Sequence, residues 1–191
     1  MAGTPTSPKL DRRVQRSRTA LRDAFHRLIL ERGYEAIAVA DVTELADVGR
    51  STFYQHYAGL DDLLTQSLDR HFTLLAKGSL AEEPDDGMIQ VLVHFWENRR
   101  VANALFAGSA SRVLMPLAAE RFETGLSAQW PGRLGEQASR RKLLATQLAA
   151  GQLAVLSAWL SGRLSASAPD VGETLRRSCR AAALAVLHPP L

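Results

Sequence analysis

The chain has 191 residues, 46% of them hydrophobic and 23% charged, with a net charge of +3, which suffices for a sizeable core in one unit or two small ones. Its one cysteine, Cys179, excludes an internal disulfide and makes a reducing cytoplasm the simplest home. Apolar stretches are broken by Arg, Gln or Ser well short of about 18 residues, so no membrane span is expected.

The basic charge gathers at the start. Residues 1–32 hold eight Lys and Arg against three acids, whereas the remaining 159 residues hold 15 against 17. A positive end suits phosphate attraction; a solvated helix start is the other reading. Met1 to about Lys9 carries Thr, Ser, Gly and two prolines, and residues 1–17 read as a disordered basic arm. That start lacks an apolar h-region, so no signal peptide is expected. A helix is predicted from Asp11 or Ser17, with Ala20, Leu21, Ala24, Phe25, Leu28 and Ile29 as its buried stripe. Gly33 sits where a helix end wants a left-handed residue.

Tyr34 to Ala38 then links to a second helix with Val39, Val42, Leu45 and Ala46 on one face. Asp47-Val48-Gly49 interrupts the period. A further short helix follows, from Arg50 to about Tyr57, with Phe53 facing inward. Arg50, Ser51, Thr52, Tyr54, Gln55 and His56 are left outside, residue types that hydrogen-bond base edges and phosphate oxygens. Two short helices around a three-residue turn fit a helix-turn-helix.

The run Arg50-Ser51-Thr52-Phe53-Tyr54-Gln55-His56-Tyr57 resembles the recognition helix of TetR-family transcriptional regulators. The resemblance covers Arg18 to roughly Leu68. It implies an all-α fold, with a three-helix helix-turn-helix head at about residues 18–60. A helical effector-binding and dimerisation domain would occupy 61–191. It also implies a double-stranded DNA operator as partner, bound by a homodimer. Within the helix, Arg50 suits a bidentate contact to guanine, and Ser51 and Gln55 are placed for base edges. By resemblance Thr52, Tyr54 and His56 bond phosphates, with a capping or core role as the other reading of His56. Thr43 reads as structural.

The chain departs from the family pattern at several places. Ala38 stands where a capping Ser or Thr is common, Ala40 where a long polar side chain is common, and Leu60 where a phosphate-binding Lys is common. Asp47 replaces the turn glycine, and Asp tolerates left-handed geometry better than most residues. Gly49 replaces the usual capping Ser.

Asp61 and Asp62 open a fourth helix that continues through Leu63, Leu64, Leu68, Phe72 and Leu75 to about Lys77. The carboxylates of Glu82, Glu83, Asp85 and Asp86 lie in a Pro/Gly loop and read as solvated. Met88, Val91, Leu92, Phe95, Arg99 and Ala102 share the next helical face, followed by Leu105 and Phe106. A helix at about Arg112–Ala128 has a break or kink at Pro116, and Gln129–Ser139 reads as a loop. A long helix is predicted at about Arg140–Leu164, and Asp170 to Glu173 reads as a capping box for the last one.

Two further sites are expected in this second half. His71, Phe72, Met88, Phe95, Phe106, Met115, Trp130 and Gln147 offer an apolar cavity with isolated polar groups for a small-molecule effector, or plain core. Leu148, Gly151, Val155, Trp159, Leu175, Ala182 and Val186 form a stripe on the last two helices. In the family that stripe implies a four-helix contact with a twin; burial in the core of the effector domain is the other reading. Cys179 reads as a small core residue, with a redox sensor as the alternative.

No HExxH, GxSxG, CxxC or phosphate-cradling glycine loop is present, and the five histidines lack metal-ligand spacing. No catalytic residue, metal or cofactor is therefore assigned. The expected function is a cytoplasmic regulator, a repressor released from a palindromic operator by a small, largely apolar effector. The alternatives are a protein-interaction regulator with weakened DNA contacts, and a regulator without an effector.

Overall fold

The structure, a computed structural model, describes residues 8–131 and 138–187. Among the described residues it is all-α, as the periodicity predicts. The chain divides into two compact units, Met1–Ser67 and Leu68–Leu191. The division falls inside the fourth helix, α4 (Leu60–Leu80), rather than between residues 60 and 61.

In the first unit, α1 spans Pro8–Arg32 and buries Leu21, Ala24, Phe25, Leu28 and Ile29. It starts earlier than the expected Asp11 or Ser17, so residues 8–17 are helix and not a disordered arm. Pro8 lacks an N–H to lose at a first helical position, and the Lys and Arg that follow are good helix formers. The rest of the expected arm, residues 1–7, lies outside the described residues. Gly33 ends α1 at φ 75°, its N–H bonded to Ile29 O at 3.0 Å. A 3-10 turn, Tyr34–Ala36, follows. There Tyr34 sets its ring edge-on to Phe25 at 6.0 Å and donates its hydroxyl to Asp61. The short helices α2 (Val39–Leu45) and α3 (Arg50–His56) close on this core through Val42, Phe53 and Tyr57. The first turns of α4 add Leu63 and Leu64. Asp62 caps α4 by accepting the Ala58 N–H at 2.8 Å, so the acids at its start are structural.

Among the described residues the second unit holds the rest of α4, which runs to Leu80 and not Lys77, and five more helices. The expected single helical face from Met88 is two helices, α5 (Asp86–Glu97) and α6 (Arg99–Ala107). Asn98 breaks it: its side-chain amide donates to His94 O at 2.9 Å, capping the end of α5. Arg99, assigned to the buried face, is exposed and lies over the Trp96 ring at 5.3 Å. The turn into α7 (Ser111–Gln129) is sharp, 94° between the two axes. Gly108 makes it possible, because a Cβ there would lie 2.6 Å from Ala104 O. α7 runs through Pro116 without a break in its helical assignment.

α8 (Ala138–Leu160) stops short of the expected Leu164. Gly162 turns left-handed at φ 78° and returns its N–H to Trp159 O at 2.9 Å, which ends the helix. Among the described residues α8 is, by length and composition, apolar enough to cross a membrane, as is the bent pair α6 and α7 taken together, contrary to the expectation that no segment is. It buries Leu144, Ala145, Leu148, Ala149, Leu153 and Leu156, and it packs chiefly on α7, with Arg141 paired to Glu123 at 3.2 Å. It reads as a core helix. α9 (Ala168–Leu187) begins one turn before the expected box. The reciprocal cap is Ser167 with Asp170: the carboxylate accepts from Ser167 N at 3.3 Å, and Ser167 Oγ accepts from Asp170 N at 3.3 Å.

Candidate nucleic-acid interface

α2 and α3 are each only seven residues long, too short to be stable alone, so their placement comes from packing and local bonds. Ala38 has no oxygen with which to cap α2. Instead the Asp41 carboxylate reaches back to the Ala38 N–H at 2.7 Å, and Arg32 holds that carboxylate at 3.2 Å. Thr43 is buried and donates to Ala40 O at 3.0 Å, within α2. The turn to α3 passes through Asp47 at φ 51°, the left-handed residue that its position in the sequence calls for. Val48 N–H then returns to Thr43 O at 3.0 Å.

Phe53 is the anchor of α3. It is fully buried, with its ring 5.4 Å from Tyr54 and 5.6 Å from Tyr57. One buried aromatic on a seven-residue helix leaves the other face outside. Arg50, Ser51 and Gln55 are exposed, Tyr54 is 54% exposed, and Thr52 and His56 are half-buried. Beside them lies an open polar cleft of about 570 Å³, with Arg13, Arg16, Thr52, Gln55 and His56 in its wall. Not every arginine of α1 is available to it. Arg18 donates to Gln66 at 2.9 Å, Arg27 pairs with Glu31 at 2.8 Å and Arg32 is held by Asp41.

A brace that the sequence reading missed holds the end of α3. Ser17 on α1 meets His56 Nε2 at 2.8 Å, and Gln66 on α4 donates to His56 O at 3.3 Å. Burial, and then the Arg18 charge, lower the His56 imidazole below the ordinary histidine value. No local pattern marks Ser17 or Gln66, which lie 39 and 10 residues from His56.

In the second unit the eight residues expected around one cavity do not converge. His71, Phe72, Phe95 and Phe106 form a chain of packed rings with centroids 5.5–6.1 Å apart. His94 stacks on His71 at 5.2 Å. Met88 is wedged against Gly78, and Trp130 caps the end of α7. Gln147 is exposed on α8. Phe106 and Met115 alone of the eight share a hollow, about 280 Å³ with Leu114, Leu153, Ser111 and Ser157.

The expected dimer stripe also divides. Trp159 is 1% exposed, stacks on Trp96 at 5.0 Å and donates Nε1–H to Ala166 O at 2.9 Å, so it is internal. Leu148 and Leu175 are buried too. Gly151 is exposed and Val155, Ala182 and Val186 are half-buried, and Gly151, Val155 and Ala182 line a groove of about 290 Å³ along α8 and α9. Cys179 is buried there, as its small-core reading expects, and burial pushes its thiol up to about 11.

The first unit is thus a helix-turn-helix head followed by an all-helical second unit. Residues 21–66 match the family described as bacterial regulatory proteins, tetR family. An uncharacterized HTH-type transcriptional regulator, YxbF of Bacillus subtilis (strain 168), is 40% identical over 63 residues, 32% of this chain and 17% of that protein. Among solved structures, a TetR transcriptional regulator from Streptococcus agalactiae 2603V is 27% identical at a TM-score of 0.51, over 88% of this chain and 96% of that one. A TetR-family regulator from Streptomyces coelicolor A3 reaches a TM-score of 0.59 at 17% identity, over 96% and 99%. Residues 21–66 thus carry a helix-turn-helix of the tetR-family type, and the chain as a whole is similar to TetR-family regulators.

Proposed function

We propose that the chain is a repressor that binds a near-palindromic operator as a homodimer in the cytoplasm and is released by a small, largely apolar effector. The observation that carries the DNA reading is the outer face of α3. Arg50, Ser51, Tyr54 and Gln55 stand exposed on a helix whose other side is pinned by Phe53. That set offers a guanidinium fork, a hydroxyl, an amide and an aromatic hydroxyl to a major groove. Thr52 and His56 are half-buried beside them, in the wall of the polar cleft.

Two-fold pairing sets two such helices about 34–36 Å apart, on successive major grooves. The exposed side of α8 and α9 supports a twin as partner, since Leu143 is 70% exposed and Gly151, Val155 and Ala182 line a groove there. The hollow at Phe106, Met115 and Leu153 supports an apolar effector met by the hydroxyls of Ser111 and Ser157. Release requires the effector to bind more tightly to a state whose head spacing mismatches the operator.

The test is selection of bound duplexes from a random pool with the wild type, Arg50→Ala and Tyr54→Ala. A palindromic site is expected, with Arg50→Ala weakening it by about 1–3 kcal/mol. Enrichment of no duplex by the wild type, even at low salt, refutes the reading and points the exposed face toward a protein partner.

A further inference from the structure

The bond between α1 and α3 decides which hydrogen His56 has to give. Ser17 Oγ lies 2.9 Å from Val14 O and 2.8 Å from His56 Nε2. A serine hydroxyl holds one proton and a carbonyl oxygen only accepts, so both contacts are hydrogen bonds in one arrangement, with that proton given to Val14 O. In that arrangement Ser17 Oγ accepts from the ring, and Nε2 carries the hydrogen. In the neutral imidazole Nδ1 is left as a bare acceptor. A phosphate oxygen is also only an acceptor. Neutral His56 therefore has no hydrogen left for it.

Burial, and then the Arg18 charge, both oppose protonation of the ring and favour its neutral form. The charged groups around it are Arg13, Arg16 and Arg18 on α1, Asp47 in the turn, and Asp62 on α4. Asp62 is itself occupied by the Ala58 N–H and the Gln66 amide. Gln66 also reaches His56 O, and Arg18 lies over the Tyr57 ring at 5.8 Å. The end of α3 is thus tied to its neighbours by side chains from both α1 and α4.

We propose that His56 is a positioning residue and not a phosphate donor: its Nε2–H, given to Ser17, fixes the end of the recognition helix against α1. That bond sets the angle at which Arg50, Ser51, Tyr54 and Gln55 meet a duplex. The inference rests on the DNA-binding reading for its consequence, but the bond itself does not depend on it.

Two measurements separate these. In the nitrogen-15-labelled full chain, the His56 ring shows the Nε2–H tautomer with slowed proton exchange, and Ser17→Ala abolishes the slowing. An Nδ1–H tautomer overturns the proposal whether or not DNA binds. On the duplex enriched by the wild type, Ser17→Ala and His56→Ala each weaken binding about 2- to 10-fold, and the double variant loses no more than either. His56→Gln, whose amide N–H has the reach of Nε2, restores binding, whereas the shorter His56→Asn does not. Circular dichroism melts of each variant separate misfolding from lost binding. Between pH 6 and 8 the wild-type affinity varies no more than that of His56→Gln. Additive losses overturn the proposal, and so does acid-strengthened binding that His56→Gln lacks. Should no duplex be enriched, the DNA reading fails alone and the ring spectrum decides the tie.

Discussion

Trp159→Phe removes the Nε1–H that holds Ala166 O at 2.9 Å and trims the ring that stacks on Trp96. The lost hydrogen bond is worth about 0.5–1.5 kcal/mol, and the smaller ring forfeits about 1 kcal/mol of apolar burial. Together they destabilise the second unit by about 2 kcal/mol. Trp159→Ala also empties the site and costs about 3–5 kcal/mol. Urea unfolding followed by tryptophan emission reads this directly, because Trp96 and Trp130 remain and both lie in Leu68–Leu191. With a slope of about 1–3 kcal/mol/M, the phenylalanine variant unfolds at roughly 1 M less urea. If the chain pairs as proposed, sedimentation of the same variant matches the wild type, since the indole is internal. An unchanged urea midpoint together with lost self-association would refute the assignment and return Trp159 to an intersubunit surface.

Asp47→Val puts a β-branched residue at φ 51° and destabilises the helix-turn-helix by about 1–2 kcal/mol, while Asp47→Gly is tolerated; amide exchange in α2 and α3 reports it. Cys179 keeps its proton at pH 8, so a thiol reagent reacts slowly with the native chain and fast in urea. Its folded value of about 11 exceeds the ordinary 9.0, so the folded chain binds the extra proton and stability declines as pH rises through that window. Ser167→Ala removes half of the cap on α9 and lowers the urea midpoint of the second unit. Hydrogen bonds from Ser167 hold the Asp170 carboxyl below its ordinary value of 3.8. That contribution is present above the unfolded value and is lost as pH falls through the lower folded one, so the difference between variant and wild type shrinks in acid.

The head was legible because its signals are local. The spacing of Leu21, Ala24, Phe25, Leu28 and Ile29 fixes one face of α1, and the position of Asp47 calls for a left-handed turn. Local signals also failed at ends. Pro8 reads as a breaker in a Ser/Thr/Gly context but suits a first helical turn. Asn98 carries no strong breaking signal, yet its side chain caps α5. The box was sought at Asp170 because an acid and a later Glu fit the pattern, whereas Ser167 and Asp170 fit it one turn earlier. The cavity was out of reach for a different reason: a Phe or Met on a helical face is the same signal whether its neighbours close around it or leave space. Phe72 and Phe95 are packed ring on ring, Phe106 and Met115 share one hollow, and Met88 and Gln147 each border a different one.

The acidic stretch between α4 and α5 reads in sequence as a solvated Pro/Gly loop, but part of its backbone is occupied. Arg176 on α9 donates to Glu82 O, and Arg180 donates to Leu80 O at 3.3 Å while pairing with the Glu82 carboxylate at 3.3 Å. A protease must draw eight or so residues into an extended strand and attack one of those carbonyls. Here the carbonyl is already engaged by a guanidinium from nearly a hundred residues later in the chain. Cleavage after Glu82 therefore waits for α9 to let go, which makes nicking at this loop a clock for the opening of the last helix.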